Sequence, residues 1–184
     1  MFLIFGKRGE FTTAQEIKIE VTFEKHFESK ILKALFATHC YEEVAYEVYD
    51  IQNTHQNIGL GMIGEFETAM PEQDFLLFVR DTMQAYGIRH TAFTGKPIKS
   101  VAVLGGSGSF AIPNAIQAGA DAFLTADLKY HQFYEAENRL LLADIGHFES
   151  ERYTKNYIVE YLTKKILNFA IILCEENTNP VKYL

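Results

Sequence analysis

Val101-Ala102-Val103-Leu104-Gly105-Gly106-Ser107-Gly108-Ser109 is an unbroken apolar run that ends in a glycine-rich loop. A run without polar alternation is what a strand covered on both faces requires. The residues around Ile112 to Ala118 then have the character of a helix. Strand and helix go on alternating down the chain, with no internal repeat of sequence. Ala122-Phe123-Leu124 leads into a helical stretch from Leu128 to Asn138, and Leu140-Leu141-Leu142-Ala143 leads into a long amphipathic helix. That last helix carries Tyr153, Tyr157, Ile158, Tyr161, Leu162 and Ile166 at helical spacing, and Phe169 to Leu173 reads as a final strand. Strands alternating with helices imply a parallel sheet with helical cover.

Upstream, Gly95-Lys96-Pro97 punctuates the chain and the rhythm changes. Ile17, Ile19, Val21 and Phe23 alternate with polar residues, as a half-buried strand does. Glu24 to Thr38 has helical spacing, with Phe27, Ile31 and Leu35 on one face. Val44, Tyr46 and Val48 alternate again, and Gly59 to Phe66 is a glycine-rich apolar strand. Pro71 opens a helix with Phe75, Val79 and Met83, Gly87 closes it, and Arg89 to Thr94 is strand-like. This βαββαβ order is the ferredoxin-like pattern. The expected fold class is therefore α/β: a lead segment over 1–15, a ferredoxin-like module over 16–96, and a partial parallel α/β sheet domain over 97–184.

The 184 residues are 48% hydrophobic and 22% charged, a globular balance. The net charge of −7, with no run of Lys and Arg, argues against a nucleic-acid partner. Two cysteines far apart, Cys40 and Cys174, make no disulfide framework and point to a reducing cytoplasm. The apolar start Met1 to Phe5 is too short for a signal-peptide core, and no stretch is long enough to span a membrane.

Residues with chemical potential gather at the ends of the expected parallel strands, where open α/β sheets place their ligands. Asp144-Ile145-Gly146-His147-Phe148-Glu149-Ser150-Glu151 follows one strand. His147 and Glu151, four apart on a first helical turn, project to the same side. An imidazole and a carboxylate so placed can share a divalent ion. They can equally be a loop histidine and an acidic first turn facing the helix dipole. Gly105, Gly106, Ser107 and Gly108 follow another strand, and their amides could hold an anion such as phosphate. The loop lacks the Lys-Ser/Thr ending of a P-loop, so a tight strand-to-helix turn explains it as well. At a third strand end, Asp127 suits a helix cap, and His131, four residues on, returns to the same rim as a candidate acid or base. His39-Cys40-Tyr41-Glu42-Glu43 are too close together in a turn to face one ion and read as structural.

The glycine loop, the stretch Asp121 to His131, the Asp144–His147 motif with Glu151, and the ending Asn177-Thr178-Asn179-Pro180-Val181 together resemble the NIF-three-like family, also labelled type 2 homologues of GTP cyclohydrolase I. His39 to Glu47 resembles a turn in a CutA-like or PII-like module that some members insert, with Cys40 where a proline is usual. The resemblance implies a two-metal centre of Zn, Fe or Mn type in which His147 and Glu151 are the late ligands and His131 lines the cavity. It also implies ring-shaped homo-oligomers, often hexamers. The early ligands, an adjacent His pair and an aspartate, have no counterpart in this chain, so weak metal binding and an open sheet edge or core face are expected. The expected function is that of a metal-dependent hydrolase acting on a nucleotide or phosphoester. The alternative is a non-catalytic regulatory or assembly protein that binds a small effector through the ferredoxin-like module.

Overall fold

The computed structural model describes residues 7, 9–41, 43–53 and 58–184. Met1 to Phe5 and Glu42 lie outside the described residues. The chain divides into two units, Met1–Thr54 and His55–Leu184.

The first unit holds a 3-10 turn, Lys25–Phe27, that runs into helix α1, Glu28–Thr38. Ile31 and Leu35 lie half-buried on one face of α1, as their spacing predicts, whereas Phe27 sits in the preceding 3-10 turn and is exposed. Phe36 packs edge-on to Tyr46 with ring centroids 5.4 Å apart. Among the described residues the stretches 17–23 and 44–48 have no ladder partners, and Ile17 stays 90% exposed. Alternation makes a strand possible, but only a paired, covered ribbon is stable.

The second unit is built on one five-stranded sheet in the order β1-β3-β4-β5-β2. Its strands are β1 Met62–Met70, β2 Arg89–His90, β3 Ile98–Ser107, β4 Ala122–Ala126 and β5 Leu141–Asp144. The three central strands β3, β4 and β5 run parallel, while β1 and β2 close opposite edges antiparallel. The segments read as the second half of a ferredoxin-like module, Met62–Met70 and Arg89–His90, therefore belong to the same sheet as the later strands. Gly95-Lys96-Pro97 is a turn inside the second unit. Glu72 fastens it by accepting the Thr94 and Gly95 amides at 2.7 and 2.9 Å.

Both faces of β4 and β5 are covered, as their unbroken apolar runs require, whereas on β3 Val101 and Ala102 are buried and Val103 is 41% exposed. Helix α2, Glu72–Met83, places Phe75, Leu76 and Val79 against Ile98, Val101, Leu124, Leu141 and Ala143. On the other face, helix α3, Ile112–Gln117, and a 3-10 helix, Tyr130–Ala136, cover Ala102, Phe123 and Leu142. The stretch from Leu128 to Asn138 forms this shorter 3-10 helix rather than an α-helix, and it starts at Tyr130. The expected long C-terminal helix is two pieces, α4 His147–Glu151 and α5 Thr154–Lys165. The expected last strand at 169–173 does not form, and Phe169 and Ile172 are exposed.

Candidate functional site

Parallel register sets the site. Thr125 of β4 lies opposite Asp144 of β5, so both strands end at the same level and release their following residues to one rim. β4 delivers Asp127, which turns there with a left-handed φ of 57°. β5 delivers Gly146, whose φ of 92° only glycine adopts readily, and the chain enters α4 at His147.

Asp144 holds the turn from below. This buried carboxylate accepts the Leu128 amide at 2.9 Å and the Gly146 amide at 3.0 Å, and it pairs with the Arg89 guanidinium from the edge strand. Arg89 also donates to the Leu128 carbonyl at 3.0 Å. One aspartate thus ties together the exits of β4 and β5.

On this base three side chains line up. His147 Nδ1 is 2.6 Å from Asp127 Oδ2, and His147 Nε2 is 3.1 Å from Glu151 Oε2. All three are about half exposed, at 50%, 50% and 51% of their side-chain surface. The hydrogen bond to Asp127 raises the His147 pKa above its ordinary value. Partial desolvation opposes the rise, and the charges of Asp127 and Glu151 reinforce it. Both ring nitrogens therefore face carboxylates, and the geometry favours a positive charge between Nε2 and Glu151.

The glycine loop closes the third side by close packing. A methyl group on Gly106 would stand 2.5 Å from Glu151 Oε1, and its φ is 68°. The Gly106 amide donates to Ser150 Oγ at 2.9 Å, while its carbonyl accepts the Thr125 hydroxyl at 3.1 Å. Gly105 lies against Glu151 Cγ and the Ser150 carbonyl. Ser107 is exposed at the end of β3, and Gly108 is buried against Thr125 and Leu104.

His147 and Glu151 thus meet as their spacing predicts. Asp127 is not a helix cap: it is the partner of His147, a role that no local pattern signals because the two are twenty residues apart. His131 is exposed and edge-on to Tyr130, with centroids 5.2 Å apart. Asp127 lies outside the helix that carries His131, so helical spacing does not relate the two. Among the described residues His131 makes no hydrogen bond to Asp127, His147 or Glu151. Tyr41 donates its amide to His39 Nδ1 at 3.0 Å within an exposed turn, a structural arrangement. Among the described residues no group of three or more His, Cys, Asp or Glu side chains is arranged to hold one metal ion; Asp127 and Glu151 meet different ring nitrogens of His147. No helix of the described residues is long and apolar enough to cross a membrane.

His147 Nε2 and the Glu151 carboxylate are the two groups of this set with the chemistry of cation ligands. Metal-bound histidines usually engage a carboxylate through the other ring nitrogen, which fixes ring orientation and basicity. Asp127 does this for Nδ1, leaving Nε2 and Glu151 directed at each other across 3.1 Å.

The profile of the Duf34/NIF3 (NGG1p interacting factor 3) family matches residues 9–180. The chain is 34% identical over 184 residues to a GTP cyclohydrolase 1 type 2 homolog of Bacillus subtilis, a match covering 97% of this chain and 49% of that protein. Among solved structures it is similar to a Bacillus cereus protein related to NIF3, with TM-score 0.68 and 31% identity over 88% of this chain and 46% of that one. It is also similar to Staphylococcus aureus protein SA1388, with TM-score 0.71 and 25% identity over 90% of this chain and 55% of that one. The chain spans about half the length of the curated relatives it matches.

Proposed function

The chain belongs to the Duf34/NIF3 (NGG1p interacting factor 3) family, and on that premise we propose that it carries one side of a divalent-metal site serving hydrolysis of a nucleotide or phosphoester. The observation that carries the reading is the Asp127–His147–Glu151 line at the carboxyl edge of the parallel strands. His147 Nε2 and Glu151 would be the ligands, and Asp127 the group that orients His147. A divalent ion of Zn, Fe or Mn type would supply Lewis acidity toward a substrate oxygen.

The remaining work falls to side chains. Asp127 keeps the Nδ1 proton in place, so His147 presents Nε2 outward. The glycines of the loop let Glu151 sit against the sheet end without a side chain in its way. Ser107, exposed at the end of β3 and level with Ala126 of β4, is assigned to an oxyanion of the substrate. His131, exposed on the 3-10 helix after β4, is assigned proton transfer. The nucleotide class rests on the name of the relatives, GTP cyclohydrolase 1 type 2 homolog. Two exposed free cysteines, Cys40 and Cys174, suit a reducing cytoplasm.

Binding of a divalent ion titrated into the purified protein, measured beside His147→Ala and Glu151→Ala, tests the assignment. Loss of bound metal in both variants, with phosphoester or GTP turnover falling in step, is the expected result. Unchanged stoichiometry in both overturns it.

A further inference from the structure

Helix α4 has only five residues, far too few to be stable on its own propensity. Something outside it must hold it, because it presents both His147 and Glu151. Asp144 holds its entry from the strand side. On the side away from the rim lies Glu149, midway between His147 and Glu151 and only 3% exposed.

Glu149 reaches in two directions. Its Oε2 packs so closely on the Gly146 Cα that a methyl group there would collide with it. Its Oε1 accepts a hydrogen bond from Asn179 Nδ2 at 3.2 Å. Asn179 comes from the C-terminal segment after α5, which has no regular structure and is mostly exposed, yet Asn179 itself is 6% exposed. Local bonds preset its side chain: its amide donates to Asn177 Oδ1 at 3.0 Å, and its Oδ1 accepts the Val181 amide at 3.0 Å. Four residues on, Tyr183 stacks on Tyr86 with centroids 5.5 Å apart, pinning the strap a second time. A buried carboxylate needs a donor, and a segment with no secondary structure reaches in to supply it.

We propose that Asn179 is a positioning residue for the candidate metal site: through buried Glu149 it fixes the short helix that presents His147 and Glu151. The inference rests on the metal reading above for its consequence, but not for its geometry.

The test is a donor–acceptor exchange. Asn179→Asp sets two carboxylates face to face, and adding Glu149→Gln restores the hydrogen bond with its direction reversed. Cobalt(II) affinity is followed by titration calorimetry. Hydrogen exchange of the Ser150 and Arg152 amides, which close α4 onto Gly146 and Phe148, is followed in metal-free protein. The expected result for Asn179→Asp is cobalt affinity about tenfold weaker and faster exchange at Ser150 and Arg152, both largely recovered in the double variant. Asn179→Ala, which adds no charge, should speed exchange in α4 while β4 amides keep their protection. Unchanged α4 exchange in Asn179→Asp, or no recovery in the double variant, overturns the proposal. His147→Ala with unchanged cobalt affinity instead overturns the metal reading, and the metal-free exchange rates then still decide whether Asn179 positions α4.

Discussion

Asp127 Oδ2 and His147 Nδ1 meet at 2.6 Å across the ends of two neighbouring parallel strands, one carried by the exit of β4 and the other by the exit of β5. The carboxylate accepts and the ring donates, so the histidine's orientation is set by a strand other than its own. That contact also raises the affinity of the imidazole for a second proton.

His147 titration should show this directly. Because the folded-state pKa is raised, the contact stabilises the protein fully below the unfolded imidazole's pKa of about 6.5. The contribution fades as pH rises through the higher folded-state midpoint. Metal-free protein should therefore lose stability across that window. In Asp127→Asn the midpoint, followed by NMR of the imidazole protons, should move down toward the ordinary value, and the loss of stability should shrink. A midpoint unaffected by Asp127→Asn refutes the assignment.

Gly106→Ala should disturb the site and the fold together. The added methyl meets Glu151 Oε1 at 2.5 Å, and the residue must keep a φ of 68°. The cost should be at least about 1 kcal/mol by denaturant unfolding, with weaker metal binding. Gly64→Ala, where a methyl meets nothing within 4 Å, is the control and should bind metal normally.

Asp144→Ala should be among the most damaging changes to the sheet end. It leaves the Leu128 and Gly146 amides without their acceptor and Arg89 without its carboxylate. A loss of about 3 kcal/mol is expected in chemical denaturation. Leu142→Ala, at a fully buried position of the central sheet, should cost a similar amount, about 3 kcal/mol. The two should differ at the site: Asp144→Ala should shift the His147 imidazole resonances and Leu142→Ala should leave them nearly in place.

Assembly is the fourth expectation. We propose that this chain self-associates, because α5 exposes Tyr157, Ile158 and Tyr161 at 69%, 49% and 52%. Light scattering should return a multiple of the chain mass, and Tyr157→Glu with Ile158→Glu should reduce it. A single-chain mass for the unsubstituted protein sinks this expectation.

Local pattern was enough for much of the second unit. Unbroken apolar runs at 101–104, 122–124 and 140–143, each followed by turn residues, suit strands covered on both faces, so the three parallel strands were readable, although Val103 is 41% exposed. The i,i+4 relation of His147 and Glu151 was readable for the same reason, since helical geometry acts within one turn. Partner choice was not readable. Met62 to Met70 and Arg89-His90 look like strands of any sheet, and only tertiary packing decided that they flank β3 and β5. Asp127 at His147 and Asn179 at Glu149 are contacts over 20 and 30 residues. Periodicity along a chain encodes which face of an element is buried. Which element meets it is chosen by the register of the sheet and the free energy of closing the whole core, and that choice exists only in the folded molecule.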